Sequence, residues 1–126
     1  MPNLLFVIAG GAIGAGLRFE VGRLALRQLG AGFPWGTLFV NLAGGLAMGL
    51  VVGIAARTSG LSEGARLFLA VGILGGFTTF SAFSLEAALM VERGAYGTAG
   101  TYILASVVGS ILLLFLGLWL GRAAAA

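Results

Sequence analysis

The stretch Leu74-Gly-Gly-Phe-Thr-Thr-Phe-Ser-Ala-Phe-Ser-Leu-Glu86 lies in the middle of a long apolar segment and decides how the chain folds. Gly75 and Gly76 are weak helix formers, and the β-branched pair Thr78-Thr79 adds further strain. We therefore expect a break in a helix here. Non-helical backbone at membrane depth is tolerated where it is buried in protein or lines a cavity, so this break predicts a polar site inside the protein.

The sequence around this stretch is typical of a membrane protein. Of its 126 residues, 60% are hydrophobic and 9% are charged, whereas roughly a quarter of the residues in a soluble domain are charged. A membrane-spanning helix needs about 20 apolar residues, so the chain has room for four. Charge-free stretches predict an all-α membrane protein. Residues 57–60 carry a turn signal between two of these stretches. Its single domain, residues 1–126, has helices at about residues 3–28, 35–56, 63–92 and 96–121.

The charged residues argue against several functions. The chain has seven Arg and four Glu but no Lys, Asp, His or Cys, which removes thiol nucleophiles, imidazole bases and Cys/His zinc sites. We do not expect an enzyme. The net charge of +3 is spread over isolated Arg residues, so the expected partner is the lipid bilayer and not a nucleic acid.

Glycines predict close contacts between helices. There are 23, and many lie four residues apart, a spacing that lets helices approach closely in lipid. The sets are Gly10/Gly14, Gly72/Gly76, Gly117/Gly121 and Gly45/Gly49/Gly53.

Polar side chains follow the same spacing. Thr37 and Asn41 continue the Gly45 series, so both should face protein. In the last helix a hydroxyl series repeats every four residues: Thr98, Tyr102, Ser106 and Ser110. Interhelical hydrogen bonds explain isolated hydroxyls, but four in register favour a lined path.

The predicted break suits two kinds of ion. Carbonyls freed at Gly75 and Thr78 would suit a hard cation, whereas hydroxyls would suit an anion. Phe80 and Phe83 follow, three residues apart. Either they are packing or lipid-facing aromatics, or their positive ring edges help to hold a small anion.

Two ionisable residues have open roles. Arg18 lies deep in the first helix. Either its side chain extends to the membrane interface beside Glu20 and Arg23, or it stands at the mouth of an anion path. Glu20 and Arg23 should pair with each other at i,i+3. Glu86 either makes a structural pair or is the proton site of a carrier.

Three motifs resemble the small bacterial fluoride channels called Fluc or CrcB, and the resemblance covers essentially the whole chain. They are Gly10-Gly11-x-x-Gly14-x-x-x-Arg18, Gly36-Thr37-Leu38-x-Val40-Asn41-x-x-Gly44 and Gly75-Gly76-Phe77-Thr78-Thr79-Phe80-Ser81-x-Phe83-Ser84-x-Glu86. The resemblance implies an antiparallel, dual-topology homodimer of four-helix subunits in the bacterial inner membrane, with a broken third helix. Fluoride would pass through it passively, and one structural sodium ion would lie at the dimer centre.

The resemblance also implies the site. Backbone carbonyls of Gly75 and Thr78 from both subunits would bind sodium. The fluoride pathway would use Phe80, Phe83, Asn41, Tyr102, Ser106, Ser110, Thr37, Thr79, Ser81 and Arg18. One departure is Ala82, where such channels commonly have Thr.

Two other functions were weighed against this interpretation. A proton-coupled exporter of the small multidrug resistance type would need an isolated deep carboxylate in its first helix, but Glu20 there is flanked by arginines. A non-conducting assembly subunit would leave the hydroxyl series and the break unexplained.

Arginine counting predicts dual topology independently of the resemblance. With four spans, Arg57, Arg66 and Arg122 lie on one side. Before Arg18 is assigned, the opposite side carries an equal number: Arg23, Arg27 and Arg93. Because the Lys/Arg bias of loops sets orientation, neither orientation is favoured.

Overall fold

The computed structural model describes residues 2–57 and 61–125, and its regular elements there are helices. Residues 58–60 of the predicted turn lie outside the described residues, as do Met1 and Ala126. Within the described part, four segments are long and apolar enough to cross a membrane: Pro2–Leu29, Trp35–Ala56, Glu63–Glu92 and Tyr96–Ala124. By length and composition, this confirms the prediction of an all-helical chain with four spans.

Three of the spans are single helices. They are α1 (Pro2–Leu29), α2 (Trp35–Arg57) and α5 (Tyr96–Ala125). Gly30 follows α1 with a φ of 79°, a left-handed conformation that glycine adopts without steric cost, and its N–H donates to the Leu26 carbonyl. Gly94, also at φ 79°, follows the third span in the same way.

The third span is assembled from several pieces. Three consecutive helical segments, Glu63–Arg66, Leu67–Leu74 and Gly75–Phe77, form α3, and the middle one is wound as a wider π-helix that the sequence analysis did not predict. The fourth helix, α4, runs over Phe80–Glu92. Between α3 and α4, Thr78 (φ −87°, ψ 159°) and Thr79 (φ −150°, ψ 122°) are extended. Gly75 and Gly76 are themselves helical.

Glycine faces join the helices in two pairs, as the four-residue spacing predicted. Between α2 and α5, a β-carbon on Gly49 would lie 3.0 Å from the Cα of Gly117, and one on Gly53 would lie 2.6 Å from the Leu118 carbonyl oxygen. Between α1 and α3, a β-carbon on Gly72 would lie 2.9 Å from the Cα of Gly10. Since real β-carbons do not come this close to backbone, only glycine permits these approaches.

A small buried cluster fixes α4 against α5. Its members are Phe83, Ala87, Met90, Ala99 and Tyr102, and Phe33 from the loop after α1 packs against them. This cluster determines where α4 begins relative to α5, and therefore where the extended pair Thr78-Thr79 lies.

Candidate functional site

The extended residue Thr79 is held by a side chain from another helix. The Asn41 amide on α2 donates to the Thr79 carbonyl oxygen (3.0 Å) and accepts from the Thr79 N–H (2.8 Å). Both backbone groups of Thr79 are therefore satisfied at a depth where water is scarce, as buried backbone requires.

Threonine hydroxyls bond locally to the two helix ends that flank the extended pair. Thr79 Oγ1 accepts from the Ala82 N–H (3.2 Å) and caps the N-terminus of α4, as Thr does at this position. It also lies 3.4 Å from Ser81 Oγ. Thr78 Oγ1 donates to the Leu74 carbonyl (3.0 Å), which also accepts from the Thr78 N–H (3.1 Å).

An open groove of about 370 Å³ runs along the extended pair between α2, α4 and α5. We call it the polar groove. It brings together seven of the residues singled out from the sequence: Asn41, Thr78, Thr79, Phe80, Phe83, Ser106 and Ser110. Gly44 and Gly45 also line it, and both permit close contacts: a β-carbon on Gly44 would meet the Thr78 methyl group, and one on Gly45 would lie 2.8 Å from the Ser110 carbonyl oxygen.

Two phenylalanine rings form one wall of the polar groove. The ring centroids of Phe80 and Phe83 are 5.5 Å apart with their planes tilted by 46°. Phe83 is buried (7% exposed) and its ring lies 5.2 Å from that of Tyr102, whereas Phe80 is 76% exposed within a single chain. The two rings therefore meet at the groove, but only Phe83 is packed into the core.

Ser106 has an unusual environment. It is 5% exposed, its Oγ has no hydrogen-bond partner in the described structure, and it lines the polar groove. A buried hydroxyl without a partner is unfavourable by about 1–3 kcal/mol. Such a group fits a groove that receives a hydrogen-bond acceptor from outside the chain.

The other hydroxyls of α5 occupy different places. Ser110 lines the polar groove one turn from Ser106, about 6 Å along the axis. Tyr102, one turn in the other direction, is fully buried beneath Phe83. Thr98 is exposed. Of the four hydroxyls that the sequence suggested, Ser106 and Ser110 line the groove, whereas Thr98 and Tyr102 are not among its lining residues.

Glu86 joins three spans at the Tyr102 end, a connection that sequence reasoning missed. Its carboxylate accepts from Thr37 Oγ1 (3.1 Å) and from the Tyr102 hydroxyl (2.9 Å). The partners are 49 and 16 residues away in sequence, so no local spacing could reveal them. The only available signal was an isolated acid in an apolar span, which is a candidate functional group by default.

Arg18 lies beside the extended pair. Its Nε donates to the Gly76 carbonyl oxygen (3.0 Å). It also lines a second groove, of about 420 Å³, which includes Thr37, Thr79 and Ala82. Glu20 pairs instead with Arg23 at 2.8 Å, as the i,i+3 spacing predicted.

Four apolar spans, with an open polar groove between α2, α4 and α5, define a small multi-pass membrane protein. The chain belongs to the family described as CrcB-like protein, Camphor Resistance (CrcB), whose model matches residues 5–118. This confirms the resemblance inferred from the three motifs.

Relatives of known name are similar over nearly the whole chain. The fluoride-specific ion channel FluC of Chelativorans sp. (strain BNC1) is 59% identical over 97% of this chain and 98% of its own length. That of Mesorhizobium japonicum is 57% identical over the same shares. The protein of the same name from Novosphingobium aromaticivorans is 55% identical over 99% of this chain and 100% of its own length.

Proposed function

We propose that this chain forms a fluoride-specific ion channel in the bacterial inner membrane, through which fluoride leaves the cell passively. The observation that carries the proposal is the polar groove, which Phe80 and Phe83 line together with Ser106, whose buried hydroxyl has no partner among the described residues. The names of the relatives agree with it. Passage through such a channel neither makes nor breaks a covalent bond.

The chemistry of the polar groove suits fluoride. Fluoride is small, strongly hydrated and a strong hydrogen-bond acceptor, so hydroxyl donors such as Ser106 and Ser110 can replace its water. The ring edges of Phe80 and Phe83 carry positive quadrupole and add a weak attraction for a dehydrated anion. Asn41, Thr79, Ser81, Thr37 and Tyr102 complete the proposed pathway, and Arg18 lies beside it, bonded to the Gly76 carbonyl.

We further propose that two chains assemble as an antiparallel, dual-topology homodimer. The support is the open polar groove beside the interrupted third span, together with the exposed Phe80 ring. Polar backbone cannot face hydrocarbon, so the groove needs a cover within the membrane, and a second copy supplies one. The balanced arginine count favours the antiparallel arrangement.

A structural sodium ion at the dimer centre is part of the proposal. In an unbroken helix the Gly75 carbonyl would accept from the Thr79 N–H, and that of Thr78 from the Ala82 N–H. Here those donors bond to Asn41 Oδ1 and to Thr79 Oγ1. Gly75 is also exposed. Hard cations prefer oxygen ligands, and two copies would offer four such carbonyls, so the residues present fit sodium.

Anion efflux from liposomes tests the channel proposal. Purified protein is reconstituted into vesicles loaded with potassium fluoride or potassium chloride, and a potassium ionophore balances the charge. We expect rapid loss of fluoride and retention of chloride. Equal loss of the two anions, or no loss of fluoride, would overturn the proposal.

The sodium site is tested separately by ion replacement and substitution. A leucine in place of Gly75 should disrupt the dimer, whereas Thr78→Val removes only the side-chain hydroxyl and should preserve it, because backbone carbonyls would bind the ion. Full activity and an unchanged dimer after exhaustive replacement of sodium by a large organic cation would count against the ion.

A further inference from the structure

The Arg18 side chain crosses from α1 to the main chain of α3 just before the extended pair. Its Nε donates to the Gly76 carbonyl oxygen at 3.0 Å, and the contact is partly buried. Gly76 is followed by Phe77, the last residue of α3, and then by the extended Thr78. Arg18 therefore bonds to the final helical turn before the interruption.

Helix geometry explains why Arg18 reaches this carbonyl. Gly11, Ala15 and Arg18 share one face of α1, because they are separated by about one turn each. A β-carbon on Gly76 would lie 2.6 Å from the Gly11 carbonyl oxygen and 3.2 Å from the Ala15 nitrogen, so Gly76 lies directly against that face. Helical side chains lean toward the N-terminus of their helix, which carries Arg18 back toward Gly76.

The chemistry of a helix end makes the contact favourable. The last carbonyls of a helix lack intrahelical donors and carry partial negative charge, so a cationic donor is stabilising there. Asn41 holds the other side of the same interruption through Thr79. Two helices, α1 and α2, thus anchor the main chain immediately before and within the extended pair.

We propose that Arg18 is a positioning residue: its Nε–H fixes the end of α3 and thereby sets where Thr78 and Thr79 meet the polar groove. The expected effect of this Arg18 contact on fluoride transport rests on the proposed function. The competing role is a positive charge that attracts anions into the second groove. The two roles depend on different atoms of the same side chain, the Nε–H in one case and the delocalised charge in the other.

Three substitutions separate those atoms. In Arg18→Gln the amide nitrogen lies the same number of bonds from the backbone as Arg Nε, so the donor is kept and the charge is lost. In Arg18→Lys the charge is kept, but a methylene replaces Nε and the ammonium lies one bond further out. Arg18→Met lacks both. Arg27→Gln, on the last turn of α1, is the matched control for loss of an arginine charge.

Two measurements are made on each variant: fluoride efflux from liposomes, and amide hydrogen exchange of the peptide covering residues 74–82 in detergent. We expect Arg18→Gln to retain the slow exchange of the parent and efflux within about fivefold of it, the loss that a helix-end charge alone accounts for. Arg18→Lys and Arg18→Met should exchange faster at these amides and lose about tenfold or more of the efflux, as removal of a charge-assisted hydrogen bond predicts. Arg27→Gln should leave the exchange unchanged.

The proposal is overturned if Arg18→Lys behaves like the parent while Arg18→Gln behaves like Arg18→Met. Parent-like exchange in all three variants would overturn it as well. Faster exchange in Arg27→Gln equal to that of Arg18→Met would overturn it too, because a general charge effect would then explain the result. If Arg18→Met does not fold, the comparison of Arg18→Gln with Arg18→Lys decides. A parent protein that does not conduct fluoride defeats the proposed function, whereas the exchange data still test the positioning role.

Discussion

Asn41 and Thr79, 38 residues apart, exchange two hydrogen bonds in the way that neighbouring residues of a β-ladder do. An amide side chain supplies one donor and one acceptor, which matches the two unpaired groups of a single extended residue. The interruption of the third span is therefore stabilised by a residue that belongs to α2, and its stability should depend on that residue.

Replacing Asn41 by leucine tests this dependence. Leu keeps the branched shape and the number of side-chain heavy atoms but leaves the N–H and the carbonyl of Thr79 without partners, and each such group costs about 1–3 kcal/mol. We expect a clearly lower midpoint of thermal unfolding in detergent and loss of fluoride efflux. Asn3→Leu is the matched control, because the hydrogen bond of the Asn3 amide to Glu63 is exposed and long, at 3.4 Å. An Asn41→Leu variant as stable as the parent would show that water satisfies Thr79 instead.

Ser106→Ala should separate transport from stability. Since Ser106 Oγ has no partner in the described structure, its removal breaks no hydrogen bond and should leave the free energy of unfolding unchanged or raise it by about 1 kcal/mol. Fluoride efflux should nevertheless fall, because the groove loses a donor. Ser84→Ala is the control: that hydroxyl bonds to the Phe80 carbonyl at 2.9 Å and is exposed. Undiminished efflux in Ser106→Ala would remove Ser106 from the pathway.

How far the sequence could predict this structure depends on the range of each interaction. The four spans, the glycine faces and the Glu20–Arg23 pair follow from spacing within one helix, and the structure agrees with all three. The clustering of Asn41, Phe80, Phe83 and Ser106 in one groove was expected from their placement on inward faces and from the family resemblance.

What the sequence could not predict depends on contacts between spans. The glycine pair was expected to distort the helix, yet Gly75 and Gly76 are helical, and Gly76 packs against α1. The backbone becomes extended at Thr78, next to the residue that Asn41 holds. The π-helical turns at Leu67–Leu74 have no local sequence signal. Nor does the bond between Arg18 and Gly76, which are 58 residues apart.

Gly49→Ala should weaken the pairing of α2 with α5. The added β-carbon would lie 2.8 Å from the Leu118 nitrogen and 3.0 Å from the Gly117 Cα, so the helices must separate and lose packing that small residues provide in lipid. We expect a lower thermal midpoint. Gly16→Ala is the control, because no atom lies within 4 Å of its β-carbon position, and alanine there should be neutral or stabilising by up to about 1 kcal/mol. Equal midpoints for the two variants would contradict close packing at Gly49.

The two phenylalanines of the groove should respond differently to isoleucine. Phe83 is buried and packs on Tyr102, so Phe83→Ile should lower both stability and fluoride efflux. Phe80 is 76% exposed in a single chain, so Phe80→Ile should reduce efflux with little change in the unfolding of the subunit. Efflux rates and thermal midpoints of the two variants, measured side by side, check this. If both conduct like the parent, the ring edges contribute packing only.

Dual topology is the prediction that the whole assembly depends on. An even number of spans places both termini and the segment between the second and third spans on one side, with Arg57, Arg66 and Arg122. Arg18 aside, the other side then has the same number of arginines. Because orientation follows the Lys/Arg bias of short loops and helix ends, subunits should insert both ways in similar numbers, as an antiparallel pair requires. Reporter enzymes fused to the C-terminus should therefore be active on both faces of the membrane. Two or three additional arginines at one terminus should force a single orientation and abolish fluoride efflux, and co-expression of an oppositely biased copy should restore it. A parent C-terminus found on one face only would rule out the antiparallel dimer, since every subunit would then point the same way.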